Sequence, residues 1–83
     1  MQNLTVVGAG VMGRGIAYCA AFGGFNVMLH DISQDALLSA TDYIEKEMIK
    51  GVERGLFRQA DMEKALNRIR STANLREAAA NAD

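Results

Sequence analysis

Apolar residues change their spacing along the chain, and each change marks the start of a different predicted element. A short run rich in valine at 4–7 predicts a first strand, and a second apolar run at 26–30 predicts another. Between them, an alanine-rich stretch at 11–22 predicts a helix that stops at Gly23 and Gly24. Short strands that alternate with helices are typical of a parallel sheet in an α/β protein.

The second half of the chain has the periodicity of amphipathic helices. Ser33 suits a helix N-cap, and beyond it apolar residues recur at helical spacing with charged residues between them. This pattern predicts a long helix that ends between Gly51 and Gly55, followed after Leu56 and Phe57 by a shorter one. The apolar sides of the two helices consist of Leu37, Ala40, Thr41, Ile44 and Met48, and of Met62, Ala65, Leu66 and Ile69.

These two helices are expected to form a hairpin that leads into a third strand. The residues at 69–72 predict that short strand, and the alanine-rich segment 75–82 predicts a final helix. In a doubly wound sheet the third strand lies beside the second and the second beside the first.

A glycine-rich turn with the spacing GxGxxG follows the first strand and opens the first helix. Gly8 permits a tight turn, Gly10 leaves room for a pyrophosphate to approach the main chain, and Gly13 lets the helix lie close to the sheet. The helix that begins near Val11 presents unpaired N–H groups and the positive end of its dipole, which form an anion site without a lysine. Met12 lies inside the turn, where its side chain can flank a cofactor. The pattern predicts that the chain binds a diphosphate.

Asp31 ends the second strand at about the interval from Gly13 expected of a ribose-binding acid. A carboxylate accepts hydrogen bonds from ribose hydroxyls but repels a 2′-phosphate, and Ile32 supplies no compensating cation. The sequence therefore predicts NAD rather than NADP. Asp31 also suits a position that caps or precedes the next helix beside Ser33, and the two roles are compatible. The elements together predict an α/β fold of partial Rossmann type, with the first three strands of the doubly wound sheet and a long helical hairpin between the second and third.

Composition narrows the classes of partner. Of the 83 residues 49% are hydrophobic and 23% charged, and the net charge of −1 gives no reason to expect nucleic acid as a partner. No apolar run approaches the ~20 residues that cross a bilayer, so no membrane segment is expected. Cys19 is the single cysteine, which excludes an internal disulfide and fits a reducing, cytoplasmic compartment. Its place in the alanine-rich helix predicts a core residue rather than a nucleophile.

Two runs of the sequence and the helical hairpin carry a family resemblance. The runs are Val-Val-Gly-Ala-Gly-Val-Met-Gly-Arg-Gly-Ile-Ala at 6–17 and Val-Met-Leu-His-Asp at 27–31. With the hairpin and the segment 62–72, they make the chain resemble the N-terminal domain of NAD-dependent 3-hydroxyacyl-CoA dehydrogenases, especially bacterial 3-hydroxybutyryl-CoA dehydrogenases. The hairpin separates this family from plain dinucleotide folds, in which connections are short.

The resemblance implies reversible hydride transfer between NAD and C3 of a 3-hydroxyacyl-CoA. It also implies that the catalytic histidine and its orienting acid lie in a part of the family pattern beyond residue 83, so no catalytic residue and no metal site are expected here. His30 is expected to be structural or to flank the adenosine. Family members contact coenzyme A through the hairpin, for which Lys50 and Arg54 are candidates, with solvated surface charges as the alternative.

One position departs from the family pattern. Arg58 stands where such sequences often have a Ser or Thr ahead of the second hairpin helix, and the loss of a cap typically costs about 1 kcal/mol. The second hairpin helix is therefore expected to begin weakly.

Residues 1–83 are expected to form part of the N-terminal NAD-binding domain, without the second half of the sheet and without the C-terminal substrate domain. The first strand would then lie at an open edge, and the chain is expected to form a homo-oligomer through it. Two classes of function stay open, a portion of a hydroxyacyl-CoA dehydrogenase and a minimal nucleotide-binding module without turnover. A fragment of another 3-hydroxyacid dehydrogenase, such as the 3-hydroxyisobutyrate type, would require a shorter connection between the second and third strands.

Overall fold

Three parallel strands form one sheet in a computed structural model of the chain, which describes residues 2–74 and 76. The strand order is β1-β2-β3, as the sequence predicts, and β1 lies at one edge of the described sheet. The predicted helix at 75–82 lies outside the described residues, apart from Arg76. The elements in chain order are β1 (Asn3–Val7), α1 (Val11–Phe22), β2 (Asn26–His30), α2 (Gln34–Glu53), α3 (Gln59–Asn67) and β3 (Ile69–Thr72).

The predicted elements agree closely with these bounds, and one assignment is wrong. Ile69 is predicted both on the apolar side of the second hairpin helix and at the start of the third strand, and only the second prediction is right: α3 ends at Asn67 and Ile69 opens β3. Helical periodicity runs past the end of the helix here because Ile69 packs against the same core from the sheet. The register pairs β1 with β2 from Asn3 opposite Asn26 onward.

The core lies between the helices and one face of the sheet. Side chains alternate between the two faces of a strand, and Val27 and Leu29 of β2 join the core cluster. Crossovers between parallel strands are almost always right-handed, so two that step across the sheet in the same direction place α1 and the hairpin over the same face. On the hairpin side, Ile44 and Met48 of α2 are fully buried. The helices therefore cover the sheet from one side and leave its carboxyl edge for the turn after β1.

The end of α1 is tied to the hairpin by aromatic rings. Phe57, in the connection between α2 and α3, lies with its ring centroid 4.5 Å from that of Phe22. Phe22 in turn contacts Tyr18 at 5.1 Å. The Phe57 ring also lies on Gly51, where a Cβ atom would overlap its Cζ. These contacts fix the hairpin turn against the carboxyl end of α1.

A charged side chain at the C-cap of α3 binds that same helix end. The Arg68 guanidinium donates from Nη1 to the Ala21 carbonyl oxygen at 2.7 Å. Carbonyl groups in the last turn of a helix have no intrahelical donor, and a cation there also suits the helix dipole. Arg68 therefore joins the start of β3 to the end of α1.

The start of α3 is better supported than the sequence suggests. Arg58 offers no capping acceptor, as expected, but the Asp61 carboxylate accepts a hydrogen bond from the Arg58 backbone N–H at 3.1 Å. The Arg58 guanidinium also donates to Asp61, with Nε at 3.3 Å from Oδ2. These bonds hold the pKa of Asp61 below its ordinary value of 3.8. Asp61 thus takes over part of the role of the missing hydroxyl.

Candidate nucleotide-binding site

The glycine turn lies at the carboxyl edge of the sheet, between β1 and α1. Gly8 has a φ of +99°, a conformation that only glycine adopts without strain. Its N–H donates to the His30 carbonyl at 2.7 Å and anchors the turn to the end of β2. The carboxyl edge of a parallel sheet is where α/β proteins bind their ligands.

Gly13 brings the helix against this turn. A Cβ atom at Gly13 would overlap the carbonyl oxygen of Gly8, so any side chain would displace the helix from the strand end. The structure therefore shows the close approach for which the sequence requires a glycine.

Gly10 differs from both of its neighbours in the motif. Its φ is −74°, which any residue adopts, and a Cβ atom there would meet no protein atom within 4 Å. Neither backbone strain nor packing against the described residues requires a glycine at this position. The missing side chain leaves an open approach to the main chain at the N-terminus of α1.

The N-terminal amides of α1 point into that approach. Gly10 supplies no side-chain cap, and the first turn carries no acidic residue. The first hydrogen bond of the helix runs from the Arg14 N–H to the Gly10 carbonyl oxygen at 3.0 Å. The amides of residues 11–13 therefore have no acceptor within the helix. Val11 and Met12 flank them with side chains that are 74% and 80% exposed. The arrangement suits an anion with apolar parts on either side.

Asp31 lies directly beside the turn and uses both of its carboxylate oxygens. Oδ2 accepts a hydrogen bond from the Ala9 N–H at 2.9 Å, and Oδ1 accepts one from the Ser33 N–H at 2.9 Å. These bonds lower the pKa of Asp31 from its ordinary value of 3.8, with the Ala9 bond as the largest cause. Asp31 is thus held as an anion that precedes α2, the position that the sequence allows for it.

His30 is buried and structural. Its side chain is 3% exposed, and Nδ1 lies 3.0 Å from the carbonyl oxygen of Thr72. Because a carbonyl only accepts, Nδ1 carries the hydrogen in this bond. The His30 ring therefore links the end of β2 to the end of β3.

The hairpin cations lie away from the glycine turn. Lys50 is in the last turns of α2, about 24 Å along the helix axis from its first residue. Its Nζ pairs with Glu47 Oε1 at 3.2 Å, and Arg54 is the exposed C-cap. The structure does not bring Lys50 and Arg54 together with the turn and Asp31.

Two features of α1 are not predicted correctly from the sequence: the exposure of Cys19 and the contact that Arg14 makes. Cys19 is exposed, so the prediction that it is a core residue is wrong: α1 buries Gly13, Ala17 and Ala21, and Cys19 lies off that stripe. The Arg14 guanidinium stacks on Tyr43 of α2, 3.7 Å from the ring centroid. Nothing in the spacing of these two residues signals the contact, which depends on how the helices pack.

Membrane spans and metal clusters are both absent from the described part of the chain. None of the helices in residues 2–74 is long and apolar enough to cross a membrane. The same residues hold no group of His, Cys, Asp and Glu side chains arranged to bind a metal ion.

A parallel α/β sheet with this glycine turn after β1 and an acid after β2 defines a dinucleotide-binding protein. The family whose model matches is "3-hydroxyacyl-CoA dehydrogenase, NAD binding domain", over residues 3–83. The chain therefore belongs to this family, which confirms the resemblance of its sequence and indicates NAD as the cofactor.

Individual relatives agree with the family. The chain is 39% identical over 69 residues to 3-hydroxybutyryl-CoA dehydrogenase of Bradyrhizobium diazoefficiens, a match that covers 83% of this chain. It is 41% identical over 69 residues to 3-hydroxyadipyl-CoA dehydrogenase of Escherichia coli K12, again over 83% of this chain. The crystal structure of 3-hydroxybutyryl-CoA dehydrogenase from Escherichia coli K12 superposes with a TM-score of 0.91 at 38% identity over 96% of this chain, which confirms the predicted fold class.

These relatives are much longer than the chain. The matches span 24% of the Bradyrhizobium protein, 14% of the Escherichia coli relative and 17% of the solved structure.

Proposed function

We propose that the chain is the NAD-binding portion of an oxidoreductase that interconverts a 3-hydroxyacyl-CoA, with 3-hydroxybutyryl-CoA favoured, and the corresponding 3-oxoacyl-CoA. The observation that carries this proposal is the open approach at Gly10 to the amides of α1, in a chain that belongs to an NAD-binding family. The names of the relatives support the substrate class.

The site accounts for the diphosphate and the adenosine ribose of the cofactor. The diphosphate lies over Gly10 and accepts hydrogen bonds from the amides at 11–13, helped by the dipole of α1. Val11 and Met12 shield it from the side. Gly8 and Gly13 shape the turn, and the Asp31 carboxylate accepts hydrogen bonds from the adenosine ribose.

Asp31 also sets the choice between NAD and NADP. Its carboxylate is held ionised by the Ala9 and Ser33 amides and would face the 2′-phosphate of NADP. Ile32, which follows it, is 86% exposed and offers no positive charge. Two like charges in contact are unfavourable, so NAD is the preferred ligand.

The described groups bind and orient the cofactor rather than move a proton. When bound, NAD supplies the hydride acceptor for oxidation of the 3-hydroxyl group. The single histidine of the sequence, His30, is buried with Nδ1 committed to Thr72. We therefore assign the general base for the hydroxyl proton to other sequence of a longer dehydrogenase. This same observation favours the second candidate, a minimal nucleotide-binding module without turnover.

The chain fits the first part of the NAD-binding domain. Residues 1–83 supply three strands, and the second half of the sheet and a C-terminal substrate domain are assigned to additional sequence. The short shares of the relatives that the matches cover support this division. The hairpin α2–α3 argues against the 3-hydroxyisobutyrate type, whose connection would be short.

Coenzyme A is assigned to the far end of the hairpin. Lys50 and Arg54 are both exposed cations at the end of α2, where phosphates could reach them. Arg54 forms no ion pair within residues 2–74, whereas Lys50 is paired with Glu47. Arg54 is therefore the stronger of the two candidates.

A second copy of the chain is the partner assigned to β1. This strand is the edge of the described sheet, and Val7 at its end is 68% exposed. A strand at the edge of a sheet can pair with another chain.

The exposed thiol of Cys19 fits a reducing compartment, and on that basis we assign the protein to the cytoplasm.

Titration of NAD into the 83-residue chain by calorimetry tests the proposed site. Gly10→Leu is expected to abolish binding and Gly10→Ala to weaken it at least about tenfold, equal to about 1.4 kcal/mol. Gly15→Ala is the matched control, because it adds the same methyl group to α1 in open space outside the turn. Binding that survives Gly10→Leu, or equal affinity for NAD and NADP, would contradict the proposal.

A further inference from the structure

We propose that Asp31 is a positioning residue for the glycine turn, beyond the ribose contact assigned to it above. Its carboxylate holds the turn in the conformation that presents the α1 amides to a diphosphate. The inference rests on the proposed function, because it concerns how strongly that site binds its ligand.

Two consecutive amides of the turn are fixed to the end of β2. Gly8 N–H donates to the His30 carbonyl at 2.7 Å, and Ala9 N–H donates to Asp31 Oδ2 at 2.9 Å. The second of these bonds has a side-chain acceptor, so it depends on the identity of residue 31. Ala9 is itself 4% exposed, which leaves its N–H little access to water as a substitute. Losing the acceptor would leave a nearly buried donor unpaired.

The turn has few other means of holding its shape. It contains three glycines in six residues, and glycine loses more conformational freedom on folding than any other residue. The start of α1 at Gly10 has no side-chain cap. The bond from Ala9 to Asp31 is the last one before Gly10, so it limits the directions in which the helix amides can point.

The carboxylate can serve both roles at once. Oδ1 accepts from the Ser33 N–H and Oδ2 from the Ala9 N–H, one bond each. A carboxylate has about four lone-pair positions, which leaves acceptors for ribose hydroxyls. Ribose binding therefore does not require the turn to be released.

A ligand without ribose hydroxyls separates the two roles by the sign of the effect. The probe is 2′,3′-dideoxyadenosine 5′-diphosphate, which keeps the diphosphate but cannot donate to Asp31. If Asp31 acted through the ribose alone, removing its negative charge would leave the affinity for this anion unchanged or raise it. If Asp31 positions the turn, the same change lowers the affinity.

The experiment compares NAD and the dideoxy probe by calorimetric titration into the wild-type chain and the variants D31A, D31N and S33A. We expect D31A to weaken binding of the probe about tenfold, which corresponds to about 1.4 kcal/mol. D31N has one acceptor oxygen for two amides and is expected to lie between wild type and D31A. S33A is the matched control: it removes the side chain that caps α2 and keeps both Asp31 bonds. Amide exchange at Ala9 is expected to accelerate in D31A and not in S33A.

Each other outcome is decisive. Unchanged or tighter binding of the probe by D31A and D31N, with native circular dichroism, overturns the inference and leaves the proposed function standing. An equal loss in S33A overturns it too, because the effect would then come from the start of α2. If D31A does not fold, the affinity of the nearly isosteric D31N for the probe decides between the two roles. A wild-type chain that binds neither ligand overturns the proposed function, and this inference with it.

Discussion

Gly10 and Gly13 are three positions apart, and the structure gives them opposite reasons to lack a side chain. Gly13 is excluded from carrying a Cβ by the Gly8 carbonyl, whereas space around Gly10 is open. The fold itself requires glycine at position 13, whereas only a bound ligand would require glycine at position 10. A substitution at Gly13 should therefore lower the stability of the chain, whereas a substitution at Gly10 should lower its affinity for the nucleotide.

Gly13→Ala is expected to destabilise the chain, because the added methyl group would overlap the Gly8 carbonyl oxygen. The expected loss is at least about 1–3 kcal/mol in the free energy of unfolding, the range for overpacking. Gly15→Ala, in the same helix but in open space, should instead stabilise by about 0.5–1 kcal/mol. Urea denaturation of both variants checks the contrast, and a Gly13→Ala chain as stable as wild type would refute the close approach.

The Asp61 carboxylate predicts a dependence of stability on pH. Its bonds to Arg58 lower its pKa in the folded chain below the ordinary value of 3.8. As pH falls, the unfolded chain takes up the proton first, so Asp61 contributes stability above about pH 4 that is lost as the pH falls through the folded pKa. Asp31 acts in the same direction through Ala9 and Ser33.

The measurement is the free energy of unfolding of wild type and Asp61→Asn between about pH 2 and about pH 7, a range that spans the ordinary pKa of an Asp side chain. Wild type should be the more stable near neutral pH, and the two curves should converge in acid. Curves that stay parallel down to the lowest pH would exclude this role for Asp61.

At the level of the element, α2 begins with a cap that the sequence predicts correctly. The Ser33 hydroxyl oxygen accepts a hydrogen bond from the Ala36 N–H at 3.1 Å. Ser33→Ala should therefore lower stability by about 1 kcal/mol. Ser39, exposed in the middle of the same helix, is the matched control, and Ser39→Ala should change stability by less than about 0.5 kcal/mol. Equal effects of the two substitutions in denaturant melts would argue against the cap.

Two opposing effects determine how Gly51→Ala changes the stability of the chain. Alanine is favoured over glycine inside a helix by about 1 kcal/mol. A methyl group at this position, however, meets the Phe57 ring, which also packs against Phe22. Overpacking costs about 1–3 kcal/mol, so we expect Gly51→Ala to destabilise the chain on balance.

A double-mutant cycle with Phe57→Leu checks the cause at Gly51. The smaller, flexible side chain should relieve the clash, so that Gly51→Ala costs less in the Phe57→Leu background than in wild type. A cost that is the same in both backgrounds would assign the effect to something other than the ring.

For the whole molecule, the position of β1 at the edge of the described sheet predicts self-association. Sedimentation at micromolar concentration should show a dimer or larger species of the wild-type chain. Val7→Lys places a charge at this edge and should shift the chain toward monomer. Leu56→Lys is the control, since Leu56 is similarly exposed, 71% against 68% for Val7, but lies in the hairpin turn. A well-folded monomer of the wild-type chain at these concentrations would refute the assignment.

How much of this could be predicted depends on whether a feature is local. The glycine turn, the strand that ends in Asp31 and the Ser33 cap each lie in a few consecutive residues, and the structure has them where their patterns indicate. The sequence places Cys19 on the wrong side of α1 because an alanine-rich helix has no clear apolar stripe until its contacts are known. The stacking of Arg14 on Tyr43 joins residues that only the packing of α1 and α2 brings together.

The bond from Arg68 to the Ala21 carbonyl spans 47 positions of the chain. During synthesis, the N-terminus of α1, whose amides we assign to the nucleotide, is made long before the C-terminus of this helix receives the Arg68 donor. Any truncation that removes residue 68 leaves that carbonyl without its charged partner. The smallest unit that gives the end of α1 its charged donor is therefore one that already includes the residue before the third strand.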